Sequence, residues 1–221
     1  AIQKKDPSFS IQKLDYDDAA TYKMLGQGET EGVFQLESSG MKQVLVGLQP
    51  QNLEDVIALI SLYRPGPMDS IPTYLRNRHE PDKISYKTPQ LAHILDVTNG
   101  CIVYQEQVMQ IFRELAGFSF GQADNVRRAM SKKKHAVMEA EREHFVHGCT
   151  EPGHECPGCV ANGISEKVAN EIYDEMSSFA SYAFNKSHAA CYAYVAFQTA
   201  YLKCHYPSEF MVVEIVVDDT P

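Results

Sequence analysis

Apolar residues recurring at helical spacing, punctuated by caps and breakers, run through most of this chain and leave little room for a sheet. Asn52 precedes LEDVIALISLY, where Leu53, Val56, Ile57 and Ile60 share one helical stripe. An Asn there can accept a bond from the first-turn N–H groups. Arg64-Pro65-Gly66-Pro67 stops that helix, because Pro65 biases Arg64 out of the helical region and Gly66 permits a tight turn. Residues 101–115 predict a second helix, with the opening CIVY open to a short strand instead, and Gly117 ends it. Ser119 and Gln122 form a capping box for a helix through Met130. Further helices are expected over 135–147, from Ser165 to about residue 180, and from Ser187, read as a cap, to Pro207, before a last segment SEFMVVEIVV. Residues 149–163 read as a loop rich in Gly, Pro and Cys. The fold class is therefore mainly α, with few or no strands.

Composition narrows the function. The 221 residues are 44% apolar and 22% charged, an ordinary globular balance with enough length for a core. No apolar run approaches the roughly 18 residues of a membrane span. The polar N-terminus AIQKKDPSFS carries no signal peptide, and six cysteines without one suggest a reducing compartment, so the cytoplasm is expected. Both ends break off abruptly, as in an excised fragment.

Within a net charge of -9, NVRRAMSKKKH gathers five cations, Arg127, Arg128, Lys132, Lys133 and Lys134, against Asp124 alone nearby. A segregated basic stripe on an acidic body suits an anion steered to one face. A solvated helix end, favoured by the macrodipole, accounts for KKK equally well but leaves the mid-helix arginines unexplained. Adjacent guanidiniums match the oxygens of a phosphate chain. Asn185-Lys186-Ser187-His188, at a helix start, offers unpaired N–H groups plus further donors, although His188 reads as a core or capping residue equally well. Neither segment contains a Walker-type glycine-rich loop.

Two other clusters compete for chemistry. Cys149, His154, Cys156 and Cys159, with His147 as an alternative, supply ligands for a structural zinc, or are the free thiols of a flexible loop. Asp15-Tyr16-Asp17-Asp18 looks like a Mg2+ cluster, yet its position before AATYKML makes helix capping the simpler role.

EGVFQLESSGM, ALISLYRPGPM, IVYQEQVMQI, NVRRAMSKKK and FNKSHAACYAYVAFQTAYLKCHYPSEFM, in this order, resemble the C-family replicative polymerases, the alpha subunits of bacterial DNA polymerase III. The resemblance covers nearly the whole chain and falls mainly on the fingers. It implies a connector after the palm over residues 1–30, a helical fingers region over 31–221, and a lineage-specific Cys-rich insertion at 149–163. By the same resemblance, Arg127, Arg128, Lys132, Asn185, Lys186, His188 and, more weakly, Arg64 bind the incoming dNTP, and Lys133 and Lys134 contact primer–template DNA. The catalytic Mg2+ ions are implied to sit on palm aspartates outside this chain, so the chain alone is expected not to polymerise DNA. The implied partners are dNTP, primer–template DNA, the rest of the alpha subunit and the replicase holoenzyme, with no membrane. One departure is local: the family usually has Gly where Ser131 stands, so the helix is expected to run one residue further. Two rival readings stand beside this one. The first is a zinc-stabilised DNA- or protein-binding module without nucleotide recognition. The second is a self-contained phosphotransferase built on Asp15 to Asp18 and His188.

Overall fold

The computed structural model describes residues 1–132, 135–180 and 182–218. In chain order the helices are α1 (Ile2–Lys5), α2 (Ala19–Gly26), α3 (Ser39–Leu48), α4 (Leu53–Leu62), α5 (Ile71–His79), α6 (Ala92–Leu95), α7 (Gln105–Ala116), α8 (Phe120–Ser131), α9 (His135–His147), α10 (Gly158–Ala161), α11 (Glu166–Ala180), α12 (Lys186–His205) and α13 (Pro207–Asp218). Among the described residues the only β pairing is two isolated bridges, Tyr104 with Phe184 and Cys149 with Cys156. The mainly α expectation holds. The described helices include none long and apolar enough to cross a membrane.

Contacts divide the chain into two units, Ala1–Tyr63 with Ser187–Pro221, and Arg64–Lys186. The break expected near residue 30 coincides with no division of the fold, because α2 packs against α3 within the first unit. In that unit α4 is apolar all round and buried from Val56 to Leu62. Ala189, Ala193, Ala196 and Ala200 of α12 are fully buried, small enough for close approach, and Phe197 between them packs on Tyr16 and Tyr22 with ring centroids 5.2 Å apart in each case. Asp18 caps α2, accepting from the Thr21 N–H at 2.8 Å, and Asn52 caps α4, accepting from the Asp55 N–H at 3.0 Å.

The second unit is built around Phe112 of α7. Its ring meets Phe118 at 5.2 Å, Phe145 of α9 at 5.1 Å and Tyr173 of α11 at 6.0 Å, and buried Cys159 joins the same core. Offset and edge-on aromatic contacts of this kind add about 0.5–1.5 kcal/mol each to area burial. The capping box is formed: the Ser119 hydroxyl accepts from the Gln122 N–H while Gln122 Oε1 accepts from the Ser119 N–H. The helix it opens reaches Ser131, one residue beyond Met130.

Residues 101–104 are not helical, and a single side chain explains why. Buried Gln107 accepts from the N–H groups of Val103 and Tyr104, both at 2.9 Å, and donates to Ile94 O and Thr98 Oγ1. Captured in this way, the two N–H groups hold the backbone extended, and α7 starts at Gln105. Two other expectations shift. Part of the Cys-rich stretch folds as α10, and Ser187 lies inside α12 rather than capping it.

Candidate functional site

Three segments of the second unit converge on one cleft of about 510 Å3: the start of α7, the middle of α8 and the stretch leading into α12. Gln105, Glu106, Phe120, Asp124, Arg127 and Asn185 line it. The capping box sets the register of α8, which turns Arg127 and Arg128 to different faces about 100° apart. Arg127 leans inward, its side chain 18% exposed, whereas Arg128 is 64% exposed. Both engage Asp124. Arg127 donates to Asp124 Oδ1 from Nε at 3.0 Å and from Nη2 at 2.8 Å, and Arg128 Nε donates to Oδ2 at 2.8 Å. These bonds, the Arg127 ones above all, hold the Asp124 carboxyl below the usual range.

Arg127 is also tied to α7, donating from Nη1 to Gln105 Oε1 at 2.9 Å. Gln105 in turn reaches the stretch before α12. Its N–H donates to Phe184 O and its Nε2 to Ala183 O, each at 2.9 Å. Next to it, Glu106 accepts from Asn185 Nδ2 at 3.0 Å and from the Lys186 N–H at 3.2 Å. A carboxylate thus sits on donors at the start of α12, where the helix dipole favours negative charge. The Lys186 ammonium lies 5.3 Å from the Tyr104 ring centroid.

Of the described residues expected to hold nucleotide or DNA, two line the cleft and the others stand elsewhere. Arg127 and Asn185 line the cleft, Lys186 stands at its edge on Glu106, and Arg128 and Lys132 are exposed on and just beyond α8. Arg64 works at the back of the segment: Nη2 donates to Tyr182 O at 2.8 Å and the guanidinium lies 4.0 Å from the Phe184 ring centroid. That is a clamp on the backbone leading to Asn185, and burial lowers the Arg64 pKa. His188 belongs to the first unit, exposed on α12 with its ring 4.5 Å from that of Tyr192. Lys133 and Lys134 lie outside the described residues.

The expected zinc set does not assemble. Among the described residues no three His, Cys, Asp or Glu side chains form a metal-holding group. The loop closes through its backbone instead. Cys149 and Cys156 exchange N–H···O bonds of 2.9 Å, and Gly158, at φ +79°, comes so close to Gly148 that a Cβ there would lie 2.3 Å from its nitrogen. Cys159 is fully buried in the apolar core, which pushes its thiol up to about 12 and opposes the thiolate that zinc requires. Cys156 is turned to His144 O at 3.5 Å, and His154 stands beside His144 with ring centroids 6.5 Å apart.

The Asp15 to Asp18 cluster is likewise occupied by local structure. Asp15 Oδ1 accepts from the Asp17 N–H, and Asp18 caps α2 and pairs with His205 at 2.9 Å. Sequence reasoning missed Gln105, Glu106 and Asp124. Asp124 was readable, since it precedes the arginines by three and four residues. Gln105 and Glu106 pair across 78 to 80 positions, with no local signal beyond their presence in IVYQEQVMQI.

A helical body that brings Arg127, Asp124, Glu106 and Asn185 to one polar cleft defines a class of helical domain, and comparison with known proteins identifies it further. Residues 1–153 match the family model described as the bacterial DNA polymerase III alpha subunit finger domain. The chain is 47% identical over 98% of its length to DNA polymerase III subunit alpha of Thermus aquaticus, and 46% identical over 94% to that of Staphylococcus aureus (strain Mu50). It belongs to the finger-domain family of bacterial DNA polymerase III alpha subunits. It spans 17% and 19% of the length of those two relatives.

Proposed function

We propose that this chain is the part of a replicative DNA polymerase that grips the incoming dNTP and the primer–template during template-directed synthesis in the cytoplasm. The observation that carries the reading is the convergence of Arg127 and Asn185 on one cleft, with the Lys186 N–H at its edge, in a chain of this family. A triphosphate needs several fixed donors at once. Arg127 supplies a planar fork, and the start of α12 supplies the Asn185 amide and the Lys186 ammonium once Glu106 gives way to the phosphates. Arg128 and Lys132 extend the cationic surface towards solvent, and the family resemblance assigns Lys133 and Lys134 to the primer–template DNA. By the family resemblance His188 is a further nucleotide ligand.

The chemical step falls to groups outside this chain. Mg2+ would activate the primer 3′ oxygen and neutralise the leaving pyrophosphate. The carboxylates of Asp15 and Asp18 are already committed to a local turn, capping and pairing, so they are not its holders. The isolated chain accordingly binds but does not polymerise, and it works with the rest of its subunit and the replicase.

The test is fluorescence anisotropy of a labelled primer–template with the complete subunit carrying this chain, titrated with the complementary dNTP. Each lost charge-assisted bond is worth about 1.5–3 kcal/mol, roughly 10- to 100-fold in affinity. The dNTP should tighten DNA binding in the wild type, and Arg127→Ala/Arg128→Ala should lose that response by at least about 10-fold. An unchanged dNTP response in the variant would refute the assignment.

A further inference from the structure

Gln105 bonds both to Arg127 of α8 and to the stretch entering α12. All of its amide capacity in that direction is directional. Oε1 accepts from Arg127 Nη1, and Nε2 donates to Ala183 O. Turning the amide over would set an NH2 against a guanidinium and an oxygen against a carbonyl, two repulsions in place of two bonds. The neighbouring backbone repeats the link, because the Gln105 N–H donates to Phe184 O. Glutamate could accept but not donate, and lysine or arginine could donate but not accept, so the position calls for an amide of this length.

The effect on Arg127 follows. An arginine side chain has about 2 kcal/mol of rotamer entropy to lose before it can hold a ligand in one geometry. Here Asp124 fixes the guanidinium from within α8 and Gln105 fixes it from α7. The same amide holds the carbonyl of Ala183, two residues before Asn185. Arg127 and Asn185 therefore keep one separation across the cleft, and any shift of the 183–186 stretch is passed to the arginine.

We infer that Gln105 is a positioning residue for the nucleotide site, registering Arg127 against the start of α12 so that both present donors to the same triphosphate. This rests on the nucleotide reading above. Gln105 itself need not touch the phosphates; it acts through Arg127.

Single-nucleotide incorporation by the complete subunit tests it, with Gln105→Met, Arg127→Ala and the double variant compared by KM for the complementary dNTP and by melting temperature. Methionine keeps the length and bulk of glutamine and removes both amide bonds. Gln105→Met should raise KM about 10-fold, the low end of what one bond to a charged group is worth. In the Arg127→Ala background the same change should add less than about twofold, because the residue through which it acts is gone. A wild-type KM for Gln105→Met beside a raised one for Arg127→Ala would overturn the inference and leave the nucleotide site standing. Fully multiplicative effects would also overturn it, since Gln105 would then act independently of Arg127 or merely loosen the fold. An unchanged KM in Arg127→Ala would instead remove the nucleotide reading itself, and the role of Gln105 with it.

Discussion

Gly66→Ala tests whether the turn after α4 really fixes the segment that leads to the cleft. Gly66 sits at φ +100° and ψ -71°, immediately before Pro67, a conformation that L side chains rarely adopt. Holding a non-glycine residue in such a region costs about 1–3 kcal/mol, partly offset by about 0.4–1 kcal/mol from the stiffer unfolded chain. A second cost comes from Tyr182. An added Cβ would lie 2.5 Å from its Cδ1 and 2.7 Å from its Cε1, well inside contact distance. The ring is 43% exposed and can move outward, but its backbone is held, because Arg64 bonds Tyr182 O at 2.8 Å. Displacing a half-buried ring forfeits about 1 kcal/mol of packing, so the total loss is about 2–3 kcal/mol. For a chain of this size that lowers the melting temperature by about 4–12 °C. The assay is denaturant unfolding followed by far-UV circular dichroism on the wild type, Gly66→Ala, Tyr182→Ala and the double variant. Removing the ring should relieve the steric part, so Gly66→Ala should cost about 1 kcal/mol less in the Tyr182→Ala background. A loss below about 0.5 kcal/mol, or the same loss with and without the ring, would refute this account of the turn.

Three further outcomes are expected. Hydrogen bonds from Lys42, foremost, and from Lys203 pull the Glu31 carboxyl down to about 2 from an ordinary 4.5. Its contribution to stability is thus complete above about 4.5 and lost as the pH falls towards 2. Lys42→Met should flatten the acid limb of the pH–stability curve in that window, and an unchanged limb would count against the ion pair. A thiol-reactive dye should label exposed Cys191 in the native chain, while burial, which pushes Cys101 up to about 11 and Cys159 up to about 12, should keep both unlabelled until unfolding. Rapid native labelling of Cys159 would mean that the α9–α11 core opens. Metal analysis after dialysis should find far less than one zinc per chain, with a melting temperature indifferent to chelator; stoichiometric zinc would show that Cys149, His154, Cys156 and Cys159 can regroup.

What the sequence determined by itself was local or statistical. Asn52, Asp18 and the Ser119–Gln122 pair cap helices because a cap needs only its own first turn, and the stops at Gly117 and Pro207 act over similarly short range. The helix α8, expected to run one residue past Met130, ends at Ser131. Family membership was legible because several blocks keep one order, and the blocks carried Arg127, Asn185 and Lys186 with them. Tertiary structure decided what those residues do. Four candidate ligands close together in 149–159 suggested a metal, but burial of Cys159 in a core shared with Phe112 directed that loop inward. Arg64 donates to Tyr182 O, 118 positions away, a contact the sequence did not announce, and Gln107 overrode the helical pattern of 101–104 by capturing two N–H groups. Gln105 and Glu106 joined the site through partners 78 to 80 positions away. Such contacts form only after distant segments have packed, and no periodicity of apolar residues encodes which polar side chain then finds which carbonyl.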